Sequence, residues 1–276
     1  MKEDWFRGRR LAIATCHGKE QVLGPLMETH FGLIIEVPRD LETDQFGTFS
    51  GEIPRNQSPL ETARLKCRLA AEKSGADLCL ASEGSFGPHP DFPWIAADQE
   101  WLLLCDYSHQ LEFAVYHLDL ETNFRIAEIL QFDEIQTFAK DTGFPSHGLI
   151  LRSGQTIRKG LQEVGSLENA FHELQRWGLP ITIETDMRAM MNPTRMSVIA
   201  RAAQKLVERM KECCPVCQTP GYHCTHYEGQ LPCQWCRQPT RIPSDACWEC
   251  QRCGHQEKRK TPALFAEPGV CDYCNP

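Results

Sequence analysis

The cysteines of this chain are concentrated at one end. Of 15 cysteines in 276 residues, eleven lie in the last 64 positions. Clustered CxxC pairs of this kind are more often metal ligands than disulfides. Eight thiolates match two tetrahedral zinc sites with four cysteine ligands each, which have no open position for catalysis. We therefore predict two structural Zn²⁺ ions, bound by Cys214, Cys217, Cys233, Cys236, Cys250, Cys253, Cys271 and Cys274.

The sequence leaves the pairing of the four CxxC pairs open. Thirteen residues separate the second pair from the third, which is a spacing typical of a zinc ribbon. This spacing favours one site from the two inner pairs and a second site from the two outer pairs, and a crossed pairing is the alternative. Three cysteines are left over, which are Cys213, Cys224 and Cys247. Three histidines could replace a cysteine ligand, which are His223, His226 and His255.

The cysteine-rich tail, residues 212–276, has too few large apolar side chains for a core of its own. Structural zinc contributes roughly 10–16 kcal/mol in small modules, so we expect the metal to fold the tail. The tail carries six Lys and Arg residues against seven Asp and Glu residues. This balance favours a scaffold or protein-docking role, with nucleic-acid binding as the alternative.

Three acidic residues in the first half of the chain have the chemistry of a phosphohydrolase. Glu83 follows the apolar segment 76–81, and open α/β sheets bind ligands just past the carboxyl ends of buried strands. We predict that Glu83 and Glu61 bind Mg²⁺, and that one of them or Asp98 orients the attacking water. A capping role at a helix start would also explain Glu61, which lies three residues after Ser58.

A second group of side chains could bind a phosphate anion. Lys19 and Gly18 lie between an apolar segment and a predicted helix, and a helix start directs N–H groups and a favourable dipole toward an anion. A simple turn with a solvated lysine is the alternative. Cys16 beside His17 also permits thiol catalysis as a further alternative. The predicted substrate-binding residues are Thr15, His17, Lys19, Ser82, Ser85, Arg188 and Arg195.

The elements that would position these groups alternate between strands and helices. The predicted strands are 11–15, 33–37, 76–81, 94–107, 111–120, 148–151 and 181–184. The predicted helices are 20–30, a helix from 59, 133–141, 166–177 and 196–211. We predict a loop over 82–85 and irregular structure over 86–93. This order indicates an α/β body with a mixed sheet over residues 1–211, followed by a small zinc-ribbon module over 212–276.

Composition limits the function classes. Hydrophobic residues make up 41% and charged residues 24%, as in an ordinary soluble globular protein. No segment approaches the roughly 18 apolar residues of a membrane helix, and the N-terminus does not read as a signal peptide. We therefore expect a cytoplasmic protein without a membrane partner. The net charge of −8 argues against a broad basic surface for nucleic acid and suits carboxylates that bind a hard cation.

Two resemblances follow from particular segments. The segments TDQFGTFSGE, SEGSFGPHP, ETNF, DMRAMMNPTRM and CDYCNP together resemble a family of uncharacterised proteins with an α/β body and a cysteine-rich tail. The body also resembles the inosine/xanthosine triphosphate pyrophosphatases. LAIATCHGK, LETARLKCRLAAEKSGAD and LCLASEGSFG occur in the order of that family's strand and lysine loop, E-x-A helix, and strand with an acidic end.

The second resemblance implies a divalent-metal-dependent hydrolase of a nucleotide or related phosphate compound. It also implies that the long hairpin over 94–120 belongs to the sheet. The chain departs from that family at His17, where asparagine is usual, at Glu83, which stands alone instead of in an acidic pair, and in a shorter lysine spacing. The alternative is a non-catalytic nucleotide-sensing or adapter protein whose zinc ribbon docks a protein or nucleic-acid partner.

Overall fold

The computed structural model describes residues 4–39, 41 and 57–276. The chain divides into two compact units. The larger unit is Phe6–Leu206, and the smaller unit is Val207–Pro276 together with Met1–Trp5. The sequence prediction places the division after residue 211. The segment TDQFGTFSGE, residues 43–52, lies outside the described residues. Among the helices of the described part, none is long and apolar enough to cross a membrane.

The first sheet of the larger unit has five strands in the order β2-β1-β3-β4-β5. β1 pairs with β2 and β3 in parallel, and the pairs β3–β4 and β4–β5 are antiparallel. The sheet is therefore mixed, as predicted. Its elements are β1 (Arg10–Ala14), α1 (Glu20–Phe31), β2 (Ile34–Glu36), α2 (Pro59–Ser74), β3 (Leu78–Pro88), β4 (Ala96–Asp106) and β5 (Leu111–Asp119).

The prediction of a loop directly after residue 81 is wrong. β3 is a strand of 11 residues that continues through Glu83 and Gly84 to Pro88. Its partner β4 is equally long, and the two pair without interruption from Leu78 opposite Asp106 to Pro88 opposite Ala96. The proline lies at the end of the ladder, where its missing N–H costs least. Pairing with a distant strand therefore overrides the local turn signals of glycine and proline.

A second sheet of the same unit has four antiparallel strands in the order β6-β9-β7-β8. Two helices cover it, and Ile135, Phe171 and Leu174 are buried in their common core. The elements are β6 (Ile126–Ile129), α3 (Phe132–Asp141), β7 (Leu149–Ser153), β8 (Thr156–Leu161), α4 (Val164–Leu174) and β9 (Ile181–Thr185). The sequence does not predict β6, which is short, or β8, which is polar. The helix α5 (Pro193–Lys211) follows.

The smaller unit contains a three-stranded antiparallel sheet. Its strands are β10 (His223–Glu228), β11 (Asp245–Glu249) and β12 (Gln256–Lys260), with β11 in the centre. Trp248 of β11 and Tyr222 have ring centroids 5.5 Å apart, and Tyr222 is one of few large side chains that are fully buried in this unit. The small apolar core agrees with the expectation that bound metal supplies much of the tail's stability.

Candidate functional site

Two lysines from different parts of the fold converge on two consecutive residues of β3. Lys19 Nζ donates to the Ser82 hydroxyl at 2.8 Å and to the Ser82 carbonyl oxygen at 3.2 Å. Lys66 of α2 forms an ion pair with the Glu83 carboxylate. All these side chains are almost completely buried. Because successive side chains of a strand point to opposite faces, Lys19 and Ser82 lie on one face of the sheet and Lys66 and Glu83 on the other, at the same end of the central strand.

The strand order explains why the groups meet there. In the sheet, β2 lies on one side of β1 and β3 lies on the other. The chain therefore reverses direction across the sheet, and because both crossovers are right-handed, α1 and α2 lie on opposite faces. Open α/β sheets bind ligands at such a reversal, in the crevice outside the strand ends. β1 ends at Ala14, which pairs with Ala81. Ser82 and Glu83 are thus the first β3 residues in the crevice beyond β1.

A fully buried ion pair lies next to this crevice. Arg195 Nε donates to the Glu100 carboxylate at 2.8 Å, and neither side chain has exposed surface. The Arg195 guanidinium also donates to the carbonyl of Met187, and its carbon lies 4.8 Å from the centroid of the Phe86 ring. Gly84 pairs with Glu100, and a Cβ at Gly84 would lie 2.5 Å from Arg195 Nη2. Only glycine leaves room for this ion pair.

Asp98 is the acidic residue of the site without a hydrogen-bond partner. The side chain is completely buried, and within the described residues no hydrogen bond reaches either of its carboxylate oxygens. Burial raises the pKa of Asp98 to about 8, and the neighbouring charge of Glu100 acts in the same direction. The carboxyl group is therefore protonated at neutral pH, unless a cation takes the place of the proton.

The pKa of Lys19 is shifted in the opposite direction, below its ordinary value. Burial lowers the pKa of Lys19 to about 7, and the positive charge of Arg195 lowers it further against the favourable charge of Glu100. Lys66 and Glu83 also act on the pKa of Lys19, which shows that these five charged groups share one electrostatic environment. The ammonium group is thus close to half protonated at neutral pH, and a bound anion would favour its charged form.

The two shifted groups predict opposite slopes of stability against pH. In the folded state Asp98 keeps its proton up to about pH 8, whereas in the unfolded state it loses the proton near the ordinary pKa of 3.8. Between these two pH values the folded state binds more protons, so the contribution of Asp98 to the free energy of unfolding falls as pH rises. In the folded state Lys19 loses its proton near pH 7, whereas in the unfolded state it keeps the proton up to the ordinary pKa of 10.5. Between these two pH values the unfolded state binds more protons, so the contribution of Lys19 to the free energy of unfolding increases as pH rises. We expect Asp98→Asn to remove the decline and Lys19→Met to remove the rise.

Urea denaturation across this pH range, in the absence of divalent metal, measures both effects. The informative quantity is the difference in the free energy of unfolding between variant and wild type at each pH, because the contributions of other titratable groups cancel in this difference. A difference for Asp98→Asn that does not change with pH would contradict the assigned protonation of Asp98.

Other predicted site residues lie in different surroundings. Glu61 is exposed at the start of α2 and completes a capping box, in which its carboxylate accepts from the Ser58 backbone N–H at 3.0 Å. This box confirms the predicted helix start and accounts for the acid. Arg188 pairs with Asp186 through Nη2 and Oδ2 at 2.6 Å.

The remaining predicted residues belong to the turn after β1 and to the outer part of β3. The Thr15 hydroxyl accepts from the backbone N–H of His17 at 3.1 Å and from that of Lys19 at 3.4 Å, so it shapes the turn. His17 is half-buried and Cys16 is exposed. Ser85 is half-buried opposite Gln99 of β4.

Sequence reasoning missed two residues of the site, and each carries a detectable signal. Lys66 follows the buried Thr62 and Ala63 at helical spacing, which places a lysine on the core-facing side of α2. Glu100 lies between Asp98 and Leu102 at a spacing of two, so all three face the same side of β4. A charged residue on a buried face indicates an ion pair or a functional site.

The cysteines of the tail form two four-thiol clusters. In each cluster the sulfur atoms lie within 4.8 Å of one another. Sγ–Sγ distances of 3.6 to 3.8 Å match the edge of about 3.8 Å that a tetrahedron with Zn–S bonds of about 2.3 Å requires. Both clusters could therefore bind zinc. The residues are Cys214, Cys217, Cys250 and Cys253 in one, and Cys233, Cys236, Cys271 and Cys274 in the other.

The pairing is crossed, so the ribbon-like combination of the two inner CxxC pairs is wrong. The first pair combines with the third, and the second pair combines with the fourth. Spacing along the chain favoured the inner pairs because a short connection closes at a lower entropic cost. The central strand β11 instead delivers Cys250 to Cys217, at an Sγ–Sγ distance of 3.6 Å.

Comparison with known proteins gives a family but no activity. The model of a family described as "Domain of unknown function (DUF6671)" matches residues 66–276. Among solved structures, the chain is similar to protein VC0702 from Vibrio cholerae, with 13% sequence identity and a TM-score of 0.29, over 71% of this chain and 90% of that chain. No curated protein matches the chain. The family match begins at Lys66 and includes Glu83, Arg195 and both cysteine clusters.

Proposed function

The chain belongs to the DUF6671 family, whose function is unknown, and we propose that it is a divalent-metal-dependent hydrolase acting on a nucleotide or a related phosphate compound. The proposed reaction is of the nucleoside triphosphate pyrophosphatase type. The observation that carries the proposal is the convergence of Lys19 and Lys66 on Ser82 and Glu83 in the crevice beyond β1. Lys66 beside the Glu83 carboxylate, with Lys19 on the other face of the same strand end, suits a substrate that brings both phosphate and a metal ion.

The charges of the site favour an incoming anion. With Asp98 protonated, the cations Lys66 and Arg195 balance the anions Glu83 and Glu100. Protonated Lys19 is then the excess charge. Burial is the main cause of its lowered pKa, and the charges of Arg195 and Lys66 lower it further. A phosphate oxygen near Lys19 would supply the missing counter-charge and restore full protonation of the lysine. Substrate binding would therefore take up protons at neutral pH.

The carboxylates provide oxygen ligands of the type that Mg²⁺ prefers. Glu83 would hold the metal when Lys66 leaves it for a substrate phosphate oxygen. Asp98 lies with Glu100 on the opposite face of the sheet, so Glu83 and not Asp98 would orient the attacking water. A bound metal ion would neutralise the negative charge that develops on the phosphoryl oxygens. Water would add to phosphorus as the bond to the leaving pyrophosphate breaks, giving a nucleoside monophosphate and pyrophosphate. Lys19 and the amino end of α1 would stabilise phosphate negative charge.

The test is hydrolysis of a panel of nucleoside triphosphates with Mg²⁺ by the full chain. We expect Lys19→Met, Lys66→Met and Glu83→Gln each to lower kcat/KM by about 10²- to 10³-fold, as loss of one group that stabilises transition-state charge does. Pyrophosphate release measures the rate.

Two matched controls lie on α2 itself. Lys73 and Glu72 are exposed near its carboxyl end, so Lys73→Met and Glu72→Gln should leave turnover unchanged. Turnover that is equal in Glu83→Gln and wild type would remove the proposed role of Glu83. Saturable nucleotide binding without product would replace the hydrolase by the alternative, a nucleotide sensor whose cysteine-rich tail docks a partner. Absence of both binding and turnover would contradict the proposal.

A further inference from the structure

A third group of metal-ligand side chains lies on the tail sheet, apart from the two four-cysteine clusters. His226 and Glu228 of β10 and Cys247 of β11 place one ligand atom each within 4.8 Å of one another. His226 pairs directly with Cys247 across the two strands, and Glu228 lies two residues further along the same face. A register shift between Cys224 and His226 brings the imidazole opposite the thiol.

The three side chains border an open cavity of about 450 Å³. Cys247 is 8% exposed, so its thiol lies at the base, whereas the His226 side chain is 60% exposed at the rim. An imidazole, a carboxylate and a thiolate together form a donor set for Zn²⁺. Zinc sites with three protein ligands keep a fourth position for water or another ligand, unlike the closed four-thiolate sites.

We propose that His226, Glu228 and Cys247 form a third zinc site with an open coordination position. The site is independent of the proposed hydrolase, because all three ligands belong to the tail. Its fourth position accepts water or a small anion from the cavity, which neither four-cysteine site can do. The tail thus has two structural zinc ions and one exchangeable zinc ion.

A lysine side chain competes with Zn²⁺ for the proposed third site. Lys258 of β12 is opposite Cys247 and forms an ion pair with Glu228. Its side chain is 66% exposed, so it can move into solvent when Zn²⁺ binds. A competing lysine lowers the affinity of the site without removing a ligand. Lys258→Gln therefore strengthens zinc binding, whereas a purely structural role of the three side chains predicts no such gain.

Zinc content per chain tests the proposal in the full-length protein. After equilibration with Zn²⁺ and removal of unbound metal, we expect three zinc ions in wild type and two in His226→Ala and Cys247→Ser. Cys224→Ser is the matched control, because this β10 cysteine is outside all three groups, and it should keep three. The two zinc ions that remain in the variants report that the tail is still folded.

Competition with a chromogenic chelator gives the affinities. Loss of a ligand should weaken the third site by more than the roughly 10- to 100-fold that loss of an outer-shell partner costs. Lys258→Gln should bind this zinc more tightly than wild type. Two zinc ions in saturated wild type, or three in both His226→Ala and Cys247→Ser, would overturn the proposal. Unchanged affinity in Lys258→Gln would also contradict it.

Discussion

Cys250→Ser is expected to unfold the tail and to lower its zinc content while the larger unit stays folded. Cys250 is 2% exposed and is one of the four thiols of the first cluster, with its sulfur 3.6 Å from that of Cys217. Zinc binding of about 10–16 kcal/mol is folding free energy in modules of this kind, and the tail has little apolar core to replace it. Zinc content, proteolysis and thermal unfolding of the full chain measure the outcome.

The matched control for this substitution is Cys224→Ser, which removes a half-buried tail cysteine that belongs to neither four-thiol cluster. It should retain both structural zinc ions and the protease resistance of wild type. We also expect a strong chelator to act on wild type as Cys250→Ser does. A Cys250→Ser protein with full zinc content and a protease-resistant tail would show that this cluster is not a zinc site.

Arg195→Met is expected to lower the free energy of unfolding of the larger unit by about 3–5 kcal/mol. Removing one partner of a buried ion pair leaves an uncompensated charge, and Glu100 would be that charge here. The double variant Arg195→Met/Glu100→Leu should recover most of the loss, because replacing both partners with apolar groups is often neutral. Urea denaturation of wild type, Arg195→Met, Glu100→Leu and the double variant gives the coupling energy.

A surface pair in the same unit provides the comparison. Arg201 is 40% exposed and pairs with Asp119 at 2.7 Å. Exposed pairs contribute about 0–1 kcal/mol, so Arg201→Met should change stability little. Equal losses in Arg195→Met and Arg201→Met would mean that burial of the Arg195–Glu100 pair does not determine its contribution.

Local chemistry was sufficient to predict several parts of the molecule. The Ser58 capping box marks the start of α2, and the CxxC pairs identify eight thiols that form two clusters. The mixed sheet also follows from the alternation of strands and helices. For the capping box and the CxxC pairs the signal lies within a few residues along the chain, where spacing alone decides which side chains can meet.

Contacts between distant segments were not predictable in the same way. Nothing near Gly84 and Pro88 indicates a strand, because the pairing that makes it one comes from β4. Lys19 and Glu83 were recognised as chemistry-bearing residues, but their partners depend on the strand order. The crossed pairing of the cysteines has the same cause, since the tail sheet and not the spacing brings Cys250 to Cys217.

The crossed pairing also determines what holds the tail together. One cluster takes ligands at 214 and 217 and again at 250 and 253, and the other takes ligands at 233 and 236 and again at 271 and 274. Any peptide bond between Cys236 and Cys250 is therefore spanned by both clusters. With metal bound, a backbone nick in this interval would leave two fragments bridged by two ions, so coordination bonds and not chain continuity keep the halves of the tail in one piece.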